Sequence, residues 1–189
     1  MADKRFLDTC LKRHNEYRKR HQVPQMKLNT CMSAVAQKWA EHLAKTNTFA
    51  HSKDREVDGK KMGENIAMKY TSSGDDFTGE QVTDQWYSEV QKYNFNGTGG
   101  GGGTGHFTQV VWKESVELGV GKAQTQDGKW LVVANYLPAG NFMGKYKENV
   151  FPAKDGKIDL LTQEGGGAKP AEKGKKEKGS KKKSSCTIL

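Results

Sequence analysis

The sequence predicts a mixed α/β domain of about 155 residues, layered from helices and a sheet, followed by a basic tail. Three observations carry that expectation. Helical periodicity fills the first half, paired strand runs flank a turn signal in the second half, and composition changes abruptly near Gly165.

The elements follow in chain order. Phe6, Leu7, Cys10, Leu11, His14 and Tyr17 recur at three- and four-residue steps, an amphipathic helix that ends before Pro24. Met32, Val35, Ala36, Trp39, Ala40 and Leu43 repeat the pattern, with Asn29 or Thr30 as its cap. A third helix is expected from Thr78 to Tyr93, with Val82, Trp86, Glu89, Val90 and Tyr93 on one stripe. Gly97 to Gly105 holds seven glycines in nine residues. It lacks the Gly-Lys-Ser/Thr ending of a phosphate-binding loop and reads as a flexible surface loop. His106 to Trp112 is a short helix or turn. Leu118 to Gln124 and Lys129 to Tyr136 form a hairpin about Gln126-Asp127-Gly128. The folded domain is placed at 4–156 and the tail at 157–189, where no aromatic residue and a single proline predict disorder.

A chain of 189 residues suits one domain with a tail. Its formal net charge is +9, of which Gly165 to Leu189 contributes +6 through eight Lys and two Glu. The body is therefore only mildly basic, which excludes a protein that coats nucleic acid over its whole surface. No run of 18 apolar residues predicts a spanning helix, and the charged opening Met1-Ala2-Asp3-Lys4-Arg5 predicts no secretory signal. Ala2 is incompatible with N-myristoylation, which requires glycine. Cys10, Cys31 and Cys186 are too few for a disulfide framework and lack zinc spacing, so the expected compartment is reducing and intracellular. The sequon Asn96-Gly97-Thr98 would go unused there.

Polar residues stand where the pattern asks for apolar ones. Glu89 shares the inward stripe of Val82, Trp86 and Tyr93, and a carboxylate facing a core costs several kcal/mol unless paired. Glu64 precedes Ile66-Ala67-Met68, His51 follows Phe49-Ala50, and His106 opens His106-Phe107-Thr108-Gln109-Val110-Val111-Trp112. Two imidazoles of this kind hold a divalent metal with positions open for water and substrate, while carboxylates orient the rings or accept protons. The plainer reading is that the Glu–His pairs satisfy one another. Ser72 and Ser73 lie nearby without a nucleophile-elbow motif.

These segments resemble the CAP superfamily (cysteine-rich secretory proteins, antigen 5, pathogenesis-related 1). The matching stretches are His14-Asn15-Glu16-Tyr17-Arg18, Gly63-Glu64-Asn65, Gly105 to Trp112, and Val132 to Asn141. Asp84 to Glu89 and the ending Glu148-Asn149-Val150 with Pro152 resemble the intracellular, Golgi-associated members. The resemblance implies an α-β-α sandwich with a central antiparallel sheet, and a cleft tetrad falling on His51, Glu64, Glu89 and His106. It also implies zinc on His51 and His106, and a sterol or fatty-acid ligand. Ala134 stands where that family usually has a disulfide cysteine, in keeping with the reducing compartment.

The last four residues, Cys186-Thr187-Ile188-Leu189, form a C-a-a-X box whose final Leu favours a geranylgeranyl group. Lys173, Lys175, Lys176, Lys178, Lys181, Lys182 and Lys183 precede it. A single lipid chain attaches only marginally, and each lysine near an anionic leaflet adds about 1 kcal/mol, so the two signals together predict stable residence on a membrane.

The expected protein is thus a lipid-anchored binding or scaffolding module at the cytosolic side of the Golgi or plasma membrane. Its expected partners are anionic lipids, a sterol or fatty acid, and a second copy of the chain. The rival readings are a metal-dependent hydrolase using the tetrad and, by family similarity, an extracellular protein. Nucleic-acid binding ranks last, because the lysine tail has no interleaved aromatic residues.

Overall fold

A computed structural model describes residues 2–70 and 74–162. The tail lysines from Lys173 to Lys183, Cys186, Ser72 and Ser73 lie outside these described residues.

Helix α1 (Lys4–Arg20) starts where Asp3 accepts a hydrogen bond from the Phe6 N–H at 2.7 Å. Its buried face runs Phe6, Cys10, Arg13, His14, Tyr17 and Arg18. Strand β1 (Lys27–Leu28) leads into α2 (Thr30–Thr46). Asn29 caps α2 by accepting from the N–H groups of Cys31 and Met32, and Asn47 closes it in the left-handed conformation. A small ribbon of β2 (Glu56–Val57) and β3 (Lys60–Lys61) follows, then β4 (Gly63–Tyr70). Helix α3 (Gly79–Tyr87) opens with a capping box of Thr78 and Gln81. A 3-10 segment, Ser88–Lys92, continues it, and α4 (Gly105–Val110) comes after the glycine loop. The hairpin of β5 (Glu117–Gln124) and β6 (Lys129–Leu137) precedes the single turn α5 (Tyr146–Asn149).

The main sheet has the order β1-β5-β6-β4. The expected antiparallel pairing holds for β4, β5 and β6, whereas the two-residue edge strand β1 runs parallel to β5, so the sheet is mixed. Strand β6 is buried from Leu131 to Leu137 because both of its faces are covered. Val132, Ala134 and Tyr136 pack with α1, α3 and α4 residues such as Phe6, Trp86 and Phe107. Leu131 and Val133 pack with Ala36, Ala40 and Leu43 of α2. That period-two division is the α-β-α sandwich. The second interface is unusually close: a Cβ on Gly119 would lie 2.3 Å from the backbone of Met32, and one on Gly121 would lie 2.3 Å from that of Gln37. Helix α2 therefore lies directly on β5.

The structure refines the reading of several segments. The helix expected from Thr78 to Tyr93 tightens to 3-10 geometry after Tyr87, so Glu89 leaves the α-helical stripe. Strand β4 was hidden as a motif, its alternation blurred because Glu64, Asn65, Ile66 and Ala67 are all buried. The glycine loop lies at the surface and touches the body at one point, since Cβ atoms on Gly99 and Gly100 would meet the Tyr146 side chain at 2.2 and 2.6 Å, whereas Gly101 to Gly103 have open space around them. Packing also continues past residue 156, with Ile158 and Leu161 against the core and the Leu161 N–H donating to the Tyr17 hydroxyl.

Polar groups inside the core are accounted for. His14 donates from Nδ1 to the Cys10 carbonyl at 2.8 Å and accepts at Nε2 from the Tyr136 hydroxyl at 2.9 Å. Burial pushes its pKa down to about 4. Burial likewise lowers that of His21, which donates to the Phe151 carbonyl and accepts from Tyr87. A folded pKa below the usual 6.5 means that the unfolded chain takes up the proton first, so this stability is complete above pH 6.5 and falls away toward pH 4. Urea midpoints are expected to drop across that window, with His14 alone removing up to about 3 kcal/mol. His14→Gln, which does not titrate, should flatten the slope, and an unchanged slope would refute the assignment.

Candidate functional site

The four residues singled out in the sequence come from four separate elements. His51 lies in the segment after α2, Glu64 is the second residue of β4, Glu89 sits in the 3-10 segment, and His106 is the second residue of α4. The fold assembles them as two equivalent carboxylate–imidazole pairs. Glu64 Oε1 accepts from His51 Nδ1 at 2.6 Å and from the Ser52 backbone N–H at 3.0 Å. Glu89 Oε1 accepts from His106 Nδ1 at 2.7 Å, while its Oε2 accepts from the N–H groups of His106 and Phe107 at 2.9 and 3.1 Å. Each carboxylate thus grips a ring and the backbone beside it.

The pairs differ in depth. The Glu64 side chain is wholly buried, and Arg55 Nη1 lies 3.6 Å from its Oε1. Its other oxygen, Oε2, has no hydrogen-bond partner among the described residues, and neither does Asn135 Oδ1 directly across the strand pair. Glu89 keeps one fifth of its side chain exposed. A cavity of about 960 Å³ opens beside the first pair, with His51 and Glu64 in its wall together with Val35, Val57, Met62 and Phe142. His106 and Glu89 do not line it.

Sequence reasoning found the tetrad and assigned no role to the residues that brace it. Gln109 Oε1 accepts from the Gly140 N–H and its Nε2 donates to Ser115 Oγ, which donates to the Pro138 carbonyl. Asn141, at φ 62°, accepts at Oδ1 from Thr108 and donates from Nδ2 to the Gly105 carbonyl. An Asn within a Pro-Ala-Gly-Asn run was the available signal, because Asn tolerates positive φ.

A model of the CAP, or cysteine-rich secretory protein, family matches residues 11–136. The chain belongs to that family. The human Golgi-associated plant pathogenesis-related protein 1 is 46% identical over 155 residues, covering 81% of this chain and 97% of that protein. Pathogenesis-related leaf protein 4 of Solanum lycopersicum is 37% identical over 134 residues, covering 70% and 77%. Among solved structures, that of NaASP2 with Zn2+ is 26% identical, with a TM-score of 0.57 over 80% of this chain and 87% of the other.

In this CAP domain the chemistry available to the pairs is set by tautomer. With Nδ1–H donated to a carboxylate, the lone pair of each imidazole sits on Nε2, which bonds to no described residue. This is the arrangement of metal-ligating histidines, whose carboxylates fix the ring and raise its basicity. Among the described residues no group of three or more His, Cys, Asp and Glu is placed to hold a metal. A zinc ion here would rest on His51 and His106 alone among protein side chains.

Glu89 also ties down the first turn of α4. Glu89→Ala is expected to speed amide exchange at His106 and Phe107 by roughly tenfold, the loss of about one hydrogen bond each. Unchanged exchange at those two amides would show that the carboxylate does not hold the turn.

Proposed function

We propose that this CAP domain is a lipid-anchored binding module at the cytosolic face of a membrane, in the manner of a Golgi-associated protein. The observation that carries the reading is the conjunction of Cys186-Thr187-Ile188-Leu189 with the lysines upstream. A prenyl chain on Cys186 supplies reversible attachment, and a tail of net +6 adds several kcal/mol at an anionic leaflet. Leu161 packs against the core, and 25 positions separate it from Cys186, a reach of no more than about 90 Å. The anchor therefore keeps the domain within that distance of the bilayer. Similarity to a protein named Golgi-associated favours the intracellular side.

For ligand, the reading is a sterol or fatty acid in the cleft. Its wall sets apolar Val35, Val57 and Met62 beside the His51–Glu64 pair and the charged Lys53, Asp54, Arg55 and Lys61, so an amphiphile with a charged end is the form of such a ligand that it suits.

Replacing Cys186 with Ser should release an N-terminally tagged fluorescent fusion from membranes into the cytosol. Persistent membrane localisation of that variant would overturn the anchor.

Zinc is the second reading, favoured by the unpartnered Nε2 atoms and by the likeness to NaASP2. A bound zinc would supply Lewis acidity, while Glu64 and Glu89 hold the ligating tautomers and Glu64 Oε2 offers a spare acceptor for charge on His51. Calorimetric titration with zinc should show heat for the parent chain and none for His51→Ala with His106→Ala. Equal affinity in both would discard the site.

A further inference from the structure

Most large apolar residues exposed among those described occur singly along the chain: Phe49, Met68, Tyr70, Val116 and Leu160. Scattered residues of this kind are ordinary on a protein surface. Phe142 and Met143 differ. They are consecutive, 55% and 90% exposed, and Met143 is the most exposed large apolar side chain among the described residues.

Their base is rigid. Asn141 turns the chain outward at φ 62° and is bolted to α4 on both sides, accepting from Thr108 Oγ1 at 2.6 Å and donating to the Gly105 carbonyl at 2.8 Å. The Tyr146 hydroxyl donates to the Asn141 carbonyl, and the Lys145 N–H closes the turn on the Phe142 carbonyl at 3.0 Å. The pair is therefore held away from the body, where it cannot fold back onto the core. Phe142 also lines the cleft, so whatever receives this tip faces the cleft mouth.

We propose that the Phe142–Met143 tip inserts into the interfacial layer of an anionic phospholipid bilayer and turns the cleft mouth toward it. The proposal rests on the anchored reading above. What favours a membrane over a protein partner is the chain beyond the described residues: 163–189 carries the lysines and ends in the C-a-a-X box. The charge at the tip's own base is mixed, with exposed Lys113, Lys145 and Lys147 against Glu114 and Glu148. Attraction to the leaflet is therefore supplied by the tail, and the tip supplies direction. A lipid ligand would then pass between bilayer and cleft without crossing bulk water.

The test uses the full prenylated chain on phosphatidylcholine vesicles with about one-fifth phosphatidylserine, an anionic surface of ordinary density. Met143→Trp and, as control, Met68→Trp are read by difference against the parent fluorescence with acyl-chain-brominated lipid. Quenching and a blue shift at 143 without either at 68 are the expected result. Phe142→Ser with Met143→Ser should weaken partitioning roughly tenfold, the scale of burying part of two apolar side chains. Vesicle-bound protein with position 143 unquenched overturns the tip and leaves the anchor standing, and is the outcome if the tip instead serves a protein partner. Quenching at both positions overturns the orientation. Failure of the parent chain to bind these vesicles overturns the anchor and the tip together.

Discussion

The arrangement of the site depends on one buried guanidinium. Arg18, fully enclosed, donates from Nε to the Pro24 carbonyl, from Nη1 to those of Val110 and Trp112, and from Nη2 to those of Lys113 and Ser115. All five donors of the fork are used. Desolvation draws its pKa down to about 10, still far above neutral, and carbonyl dipoles rather than a carboxylate meet the charge. An isolated buried cation is costly, and so are the carbonyls at the end of a short helix that have no intrahelical N–H to accept from. Here each solves the other's problem. Helix α1 is thereby locked to the chain leaving α4, and α4 carries His106.

A second chain of hydrogen bonds meets the first at the same helix. His14 on α1 accepts from Tyr136 on β6, whose oxygen accepts in turn from Asn65 on β4. Asn65 also donates to the His106 carbonyl. Proton positions along this path are determined: the Cys10 carbonyl forces Nδ1 of His14 to donate, so Nε2 accepts and the tyrosine must donate. The same logic recurs at the surface, where Glu64 and Glu89 select the tautomers of His51 and His106. Hydrogen bonds alone thus orient both imidazoles.

Much of this was legible before any coordinates. The apolar stripes of α1 and α2, the Asn29 cap and the β5–β6 hairpin follow from periodicity and turn chemistry, which act locally. The two Glu–His pairs were legible for a different reason: charged groups beside aromatic and aliphatic neighbours need partners. Arg18 was invisible as a keystone, because its partners are carbonyls, which every residue has, and four of the five lie 92 to 97 positions away. Strand β4 was obscured by burial on both faces. The change to 3-10 geometry at Ser88 has the same tertiary origin, since Glu89 must reach the N–H groups that open α4. Parallel β1 could not be read at all, because two residues carry no period.

Attachment and orientation are separable demands on a tethered domain, and under the proposed anchor they fall on different parts of this chain. A cationic segment with a terminal lipid, as proposed, would confer affinity but little direction, because neither feature is tied to one face of the domain. Direction requires a rigid feature close to the site it serves. The Asn141 brace joins the loop carrying Phe142 and Met143 to Thr108 and Gly105 of α4, the same helix that Arg18 and Glu89 hold. Tip, cleft wall and imidazole therefore share one support. Any force that seats the tip also fixes the attitude of the cleft, with no moving part between them.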